Sequence, residues 1–263
     1  NGDYNTAIKS LKMALEINEN DLLVLGFLGN IYSEYADMFS DLFNKRRLLL
    51  QSICYYRKCK KIQPDEMLLG IMGSIYHQLA LASDNLKKRD IYNEKALNEF
   101  SSALDINENY NEVWGNIGDV YFQKGLDNKN YEQMKVAFHY LERALSKESN
   151  NWWDIWLYTR LITSLEEGTD IADKDEWLKE SIEVIMKTGN PDIYQKCSFI
   201  ISQIRCQLND FDNAINDLEI NLLSKYKKPL EDIVNSMLLK PIINDERVKG
   251  LLNRHFGLIE KNE

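Results

Sequence analysis

The chain has 263 residues, 44% of them hydrophobic and 28% charged, which is enough to bury a core in one or two domains and excludes a disordered chain. A formal net charge of −9 and a pI near 5.1 exclude binding of a phosphate backbone as the main task, because that affinity comes from neutralising phosphates with Lys and Arg. With 4 Pro and 12 Gly there are few places for turns, which favours long helices joined by short connections over a many-stranded sheet.

In chain order, residues 3–18 open with Ala7-x3-Leu11-x2-Ala14. Residues 21–62 carry Leu25-x-x-Leu28-Gly29-x-x-Tyr32 and then Ser52-x3-Tyr56-x2-Cys59. Residues 65–106 repeat both patterns as Leu69-x-x-Met72-Gly73-x-x-Tyr76 and Ala96-x3-Phe100-x2-Ala103, and residues 110–147 as Trp114-x-x-Ile117-Gly118-x-x-Tyr121 and Ala137-x3-Leu141-x2-Ala144. In both patterns apolar or small residues recur three and four apart, which marks one buried stripe on a helix. Each unit is therefore expected to be a helical hairpin, and such hairpins must stack to bury their stripes.

The frame weakens over residues 150–188, where Ile155-x-x-Tyr158-Thr159-x-x-Ile162 lacks the Gly and Trp177-x3-Ser181-x2-Val184 makes a poor second helix. It partly recovers over 191–223, in Ile201-Ser202 and Asp210-Phe211-x-x-Ala214-x3-Leu218. The repeat array is thus expected to span 1–226, with 227–263 as a helical cap over its last apolar face.

This arrangement resembles the tetratricopeptide repeat, whose first helix carries W-x2-L-G-x2-Y and whose second carries A-x3-F with a later small residue and Pro. The resemblance is close over residues 3–147, and the family's closing Pro survives as Pro64. It implies an all-α, right-handed superhelical solenoid of about five hairpins plus the cap. The period departs from the family's: it is 44 from Gly29 to Gly73, 45 from Gly73 to Gly118 and 41 from Gly118 to Thr159. HEAT-type repeats share that period but not the Gly and Tyr frame. Most of the excess lies in "SEYADMFSDLFNKRRLLLQ" and "HQLALASDNLKKRDIYNEK", good helix formers that predict lengthened hairpin arms.

The resemblance places Gly29, Gly73 and Gly118 where the first helix closely meets its neighbour. Gly26, Gly70 and Gly115 lie one turn earlier, on the stripe that faces the concave groove in tetratricopeptide proteins, where they serve either close packing or approach of a ligand. Gly2-Asp3-Tyr4-x-x-Ala7 matches the start of a second helix, so the chain looks like a piece of a longer protein. The segment "LLKPIINDERVKGLLNRHFGL" resembles the closing segment that follows such repeats in many bacterial regulators, with Glu246 and Val248 standing where Pro and Phe are usual.

Carrying the family's inward stripe onto each first helix nominates groove residues. They are Leu23, Phe27, Asn30 and Glu34, then Met67, Ile71, Ser74 and Gln78, then Glu112, Asn116, Asp119 and Phe122. On the degenerate fourth unit the stripe gives Trp153, Trp156 and Arg160. Trp152 and Trp156 share one side of that helix and Trp153 lies about 100° round, so at least one of the three is expected in the core. The best-known family groove clamps the carboxylate end of chaperone tails with Lys and Asn. Here Gly26 takes the place of that Lys, while Glu112 and Asp119 add negative charge, so a different protein or peptide partner is expected.

Other chemistry is sparse. His77, His139 and His255 have no second His or Cys at ligand spacing, so neither metal nor cofactor is expected, and no nucleophile or phosphate-loop motif supports an enzyme. Cys54, Cys59, Cys197 and Cys206 form no C-x-x-C pair, and reduced thiols in a cytosolic compartment are the expectation. No apolar run of about 18 residues is present, so no membrane insertion is expected of this chain. From Lys45 to Lys61 the chain carries Lys45, Arg46, Arg47, Arg57, Lys58, Lys60 and Lys61 with no acid, either a solvated outer face or a surface for an acidic partner. Three functions remain open: a module gripping a peptide or helix in its groove, a self-associating scaffold working through its long arms as a homo-oligomer, or a substrate-recruiting array beside an upstream enzyme.

Overall fold

A computed structural model describes residues 4–146, 152–165 and 174–257, and all regular structure among them is helical. The chain forms two compact units, residues 1–149 and 150–263. The repeat pattern places the end of the array at 226, whereas this division falls where the Gly frame is lost.

The first unit contains α1 (Tyr4–Ile17), α2 (Leu22–Asp37), α3 (Leu42–Ile62), α4 (Glu66–Leu81), α5 (Leu86–Ile106), α6 (Glu112–Asn128) and α7 (Tyr131–Leu145). The closest pairings are α2 with α3, α4 with α5 and α6 with α7, while α3 meets α4 and α5 meets α6 across successive hairpins. The sequence punctuates these helices with Asp and Asn: the side chains of Asp21, Asp41, Asp65, Asn85 and Asn130 each accept a backbone N–H in the first turn of α2, α3, α4, α5 and α7. Such caps satisfy donors that the helix itself leaves open and contribute about 1 kcal/mol each. The long inserts are helical, as expected, giving α3 and α5 21 residues apiece.

The core runs through the stripes that the repeats define. Leu25, Leu28, Leu69, Met72, Phe100, Ala96, Ala103, Ala137, Leu141 and Ala144 are almost fully buried, and each large member contributes about 1.5–3 kcal/mol by leaving water. The frame glycines set the spacing. A Cβ on Gly29 would lie 2.7 Å from the ring of Tyr56, one on Gly73 2.4 Å from that of Phe100, and one on Gly118 2.6 Å from Leu141 Cγ. In each of these three hairpins, then, the Gly of the first helix receives the large residue of the second. Where Ser52 replaces the usual Ala, its hydroxyl donates to Gly29 O at 2.7 Å, so burying it leaves no unmet donor.

The other glycines divide. Gly70 is packed, a Cβ there lying 2.8 Å from Tyr110 Cε1, whereas nothing stands within 4 Å of a Cβ on Gly26. Gly115 is buried.

Polar struts tie successive hairpins of this unit together. Lys60 Nζ lies 2.6 Å from Glu99, Arg46 3.4 Å from Asp84 and Arg89 2.6 Å from Asp127. The Lys124 ammonium, almost buried on α6, reaches both Asp90 and Glu94 on α5. Burial alone would lower its pKa, but hydrogen bonds to Glu94 and Asp90 outweigh that and hold it above the usual lysine value.

The second unit contains α8 (Trp153–Ser164), α9 (Lys174–Lys187), α10 (Pro191–Gln207) and α11 (Phe211–Leu223). It closes with α12 (Leu230–Val234), a 3-10 turn at Met237–Leu239, α13 (Lys240–Ile243) and α14 (Glu246–Phe256). α10 is its centre: it pairs closely with α11 and touches α8, α9 and the 3-10 turn. Thr159 takes the place of the frame Gly on α8, fully buried, with its hydroxyl donating to Ile155 O at 2.7 Å. Ile233, Leu239, Ile242, Val248, Leu251 and Leu252 bury the apolar side of the closing segment, and α14 ends on Gly257 in the left-handed region at φ 66°, a conformation glycine adopts without a side-chain penalty.

A buried acid on α11 faces α10. Asp217 is 2% exposed, accepts a hydrogen bond from the Tyr194 hydroxyl, and lies 2.7 Å from Arg205 Nε. Arg205 also reaches Asp210 at 3.0 Å. Burial pushes the Asp217 carboxyl up to about 6, opposed by the Tyr194 hydrogen bond and the Arg205 charge.

Candidate functional site

The inward stripe begins on α2, whose buried side faces α3 through Leu25, Leu28 and Tyr32. On its other side Leu23 is 73% and Phe27 54% exposed, with Asn30 and Glu34 also at the surface. Asn30 is not idle: its side-chain oxygen accepts a hydrogen bond from the Tyr56 hydroxyl. Burial raises the Tyr56 pKa, with Cys59 and the Glu34 charge adding to the effect, so this hydroxyl stays a donor. With Gly26 offering no side chain between Leu23 and Phe27, the surface of α2 is apolar and low at one end, polar at the other.

On α4 the same stripe shows Met67 at 61% exposure and Ile71, Ser74 and Gln78 half-buried. The Ser74 hydroxyl donates to Gly70 O at 3.1 Å, one turn back along its own helix. On α6 Glu112 is exposed and accepts from the Tyr110 hydroxyl at 3.4 Å, and Asn116 Nδ2 donates to Glu112 O at 3.0 Å. Asp119 is drawn into a tie between hairpins. Its Oδ2 lies 3.2 Å from His77 Nε2 on α4, while His77 Nδ1 lies 3.0 Å from Asn93 Oδ1 on α5. His77 and Asn93 are 7% and 2% exposed, so this link fixes α6 against the preceding hairpin.

The structure corrects three nominations. Phe122 is 4% exposed, because the stripe that is exposed at Glu112 and half-buried at Asn116 and Asp119 is fully covered by the middle of α6. Trp156 and Arg160 are each 3% exposed in the second unit. The Arg160 guanidinium sits 5.1 Å from the Trp156 ring centre and 4.1 Å from that of Trp177, with Glu180 at 3.4 Å. A cation held between two indole faces and paired with an acid is a packing element. Trp153 stays half-buried, edge-on to Trp156 at 5.9 Å, so Trp156 is the core member expected of the tryptophan cluster.

Two features escaped the sequence reading. The His77 bridge joins residues 42 apart, a pairing no local pattern announces. The frame tyrosines also take aromatic or cationic partners: Tyr32 stacks on Tyr55 at 5.7 Å, Tyr121 on Tyr140 at 5.6 Å, and Tyr76 accepts from Arg57 at 2.8 Å.

Among the described residues no group of three or more His, Cys, Asp or Glu is placed to hold a metal ion, and no helix is long and apolar enough to cross a membrane. No protein-family model matches the chain, and no curated protein matches it in sequence. Among solved structures it is similar to one titled "Crystal structure of MamA", a TPR-like protein, at 18% identity with a TM-score of 0.50, over 72% of this chain and 92% of that one. The stacked hairpins and this likeness together establish a TPR-like, all-α helical repeat fold.

Proposed function

We propose that this chain is a non-catalytic protein-interaction module of the tetratricopeptide family that holds a peptide or helical segment of a partner along the first helices of its N-terminal unit. The observation that carries this reading is the exposed apolar set Leu23, Phe27 and Met67. All three lie on the stripe that faces the groove in the family, beside the open surface at Gly26 and the acidic and amide groups of Glu34, Asn116 and Glu112. A contiguous apolar patch on a protein surface marks an interaction site, and Leu23 and Phe27 are neighbours one turn apart on α2. Half-buried Ile71, Ser74 and Gln78 line the same path, and Asp119 serves it indirectly by fixing α6. In this reading the closing segment, residues 227–263, caps the array. The test is capture of partners by the wild-type chain and by a Leu23→Glu/Phe27→Glu/Met67→Glu variant that keeps its helical content. Loss of the captured partner supports the assignment, and retention of every partner removes it.

A second reading is a self-associating scaffold that works through the lengthened arms. It rests on the large apolar residues exposed there, Met38, Leu42 and Phe43 on the first insert and Leu81, Leu86 and Ile91 on the second. Sedimentation across a concentration series decides: a strict monomer eliminates this reading.

A further inference from the structure

The cationic run on α3 is only half accounted for by the fold. Lys45, Arg46 and Lys60 are paired with Asp37, Asp84 and Glu99. The other four cations, Arg47, Arg57, Lys58 and Lys61, are exposed and fall within an arc of about 100° on the outer side of the helix. None of these four makes an ion pair among the described residues. Arg57 donates to the Tyr76 hydroxyl, Lys58 lies over Tyr55 at 5.7 Å, and the charge of Arg47 acts on the capping Asp41. Lys12 of α1 and Lys95 of α5 extend the positive surface to either side, over the rings of Tyr32 and Tyr76.

The repeats provide an internal control. The positions 44 residues on, in α5, are Ile91, Ser101, Ser102 and Asp105, and those 85 residues on, in α7, are Glu132, Glu142, Arg143 and Ser146. Seven of these eight positions carry no cation, and the eighth, Arg143, lies over the Trp114 ring at 3.8 Å, so the fold asks no cluster of cations here. On α3 it tolerates Arg57 four residues before Lys61, and Lys58 three before it, like charges at spacings that repel along a helix. A purely solvated face in a chain of net charge −9 has no reason to concentrate positive charge at that cost.

We infer that the outer face of α3 is a second interaction surface, distinct from the first-helix stripe, and that it docks an acidic segment of a protein partner. Carboxylates complement the four cations, and the strip from Arg47 to Lys61 is about 21 Å long, which about seven extended residues span. Exposed Leu50 adds an apolar foothold within the same arc. A single-stranded nucleic acid fits less well, since it would need aromatic rings open for base stacking: Tyr32 and Tyr76 are 7% and 4% exposed, and half-buried Tyr55 is stacked on Tyr32 and covered by Lys58.

The test is fluorescence anisotropy with a labelled Asp/Glu peptide of about ten residues and the full chain. Binding is expected to weaken between about 20 and 200 mM salt. The variant Arg47→Gln/Arg57→Gln/Lys58→Gln/Lys61→Gln should bind about tenfold more weakly, with circular dichroism confirming its helical content. Lys87→Gln/Lys88→Gln, which removes exposed cations elsewhere on α5, and Phe27→Ala on the first-helix stripe should leave binding unchanged. Absence of binding by the wild-type chain at low salt, or equal binding by the fourfold variant, would overturn the inference. So would tighter binding of a single-stranded RNA of equal charge, which would reassign the face to nucleic acid.

Discussion

Replacing Gly73 by Ala puts a methyl group 2.4 Å from Cε1 and 2.5 Å from Cδ1 of Phe100. That ring is fully buried and cannot swing into solvent, so α4 and α5 must separate or the ring must leave its rotamer. Overpacking costs about 1–3 kcal/mol, with contacts this short against a fixed ring in the upper part of that range, about 2–3 kcal/mol, and the better helix propensity of Ala returns about 1 kcal/mol. The net expectation is destabilisation of about 1–2 kcal/mol, or a fall in Tm of roughly 3–6 °C for a unit of this size. Gly26→Ala is the matched control. Nothing stands within 4 Å of its new Cβ, so only the propensity gain acts and Tm should rise by roughly 2–4 °C. Thermal and urea unfolding followed by far-UV circular dichroism measure both, and Phe100→Leu added to Gly73→Ala should recover part of the loss. If Gly73→Ala proves as stable as wild type, or Gly26→Ala falls with it, the glycines are not the seats of the second-helix side chains and the reasoning is refuted.

Of the four cysteines, Cys54 is exposed and Cys59, Cys197 and Cys206 are buried, with burial pushing the Cys206 thiol up to about 12; an alkylating reagent should therefore modify one thiol in the native chain and four in urea, as counted by intact mass. Burial pushes the Asp217 carboxyl up to about 6 from an ordinary 3.8, so the folded state holds that proton more tightly. Its stabilising effect is complete below pH 3.8 and is lost as pH rises through about 6, a change of at most about 3 kcal/mol. Urea midpoints of the wild-type chain should thus fall over that range, more steeply than those of Asp217→Asn, and parallel profiles would contradict the assignment. Arg205→Leu leaves Asp217 buried beside the Tyr194 hydroxyl alone, and the second unit should lose about 3–5 kcal/mol at neutral pH, a loss that equilibrium unfolding would detect.

The parts of this fold that the sequence reveals are those in which a local pattern is itself the physical cause. Gly29 in the middle of an Asp-capped α2, followed by Ser52-x3-Tyr56, is legible because a Cβ there would strike the Tyr56 ring, and a like collision recurs at Gly73 and Gly118. The lengthened arms are legible for a similar reason, since their helix formers run up to the caps Asp41 and Asn85. Depth along a stripe is not. Helical spacing puts Phe122 in line with Glu112 and Asn116 but cannot show that the middle of α6 is covered, and it cannot show that Arg160 lies between Trp156 and Trp177 from two different helices. Nor does any local feature announce that Asp119 is committed to His77, or that Asn30 accepts from Tyr56. The α3 cations lie between these cases: the run is obvious, but only the positions of Asp37, Asp84 and Glu99 separate the struts from the outward-facing charges.

The most direct test of the proposed interaction surface is site-specific photocrosslinking, with a photoreactive amino acid at Phe27 and, in parallel, at exposed His139 on α7. In the presence of native binding proteins, the account predicts a discrete partner adduct from position 27, mapped by mass spectrometry to one segment of that partner and abolished by Leu23→Glu/Met67→Glu. Adducts of equal yield from both positions, or none from position 27 while the partner is bound, would contradict it.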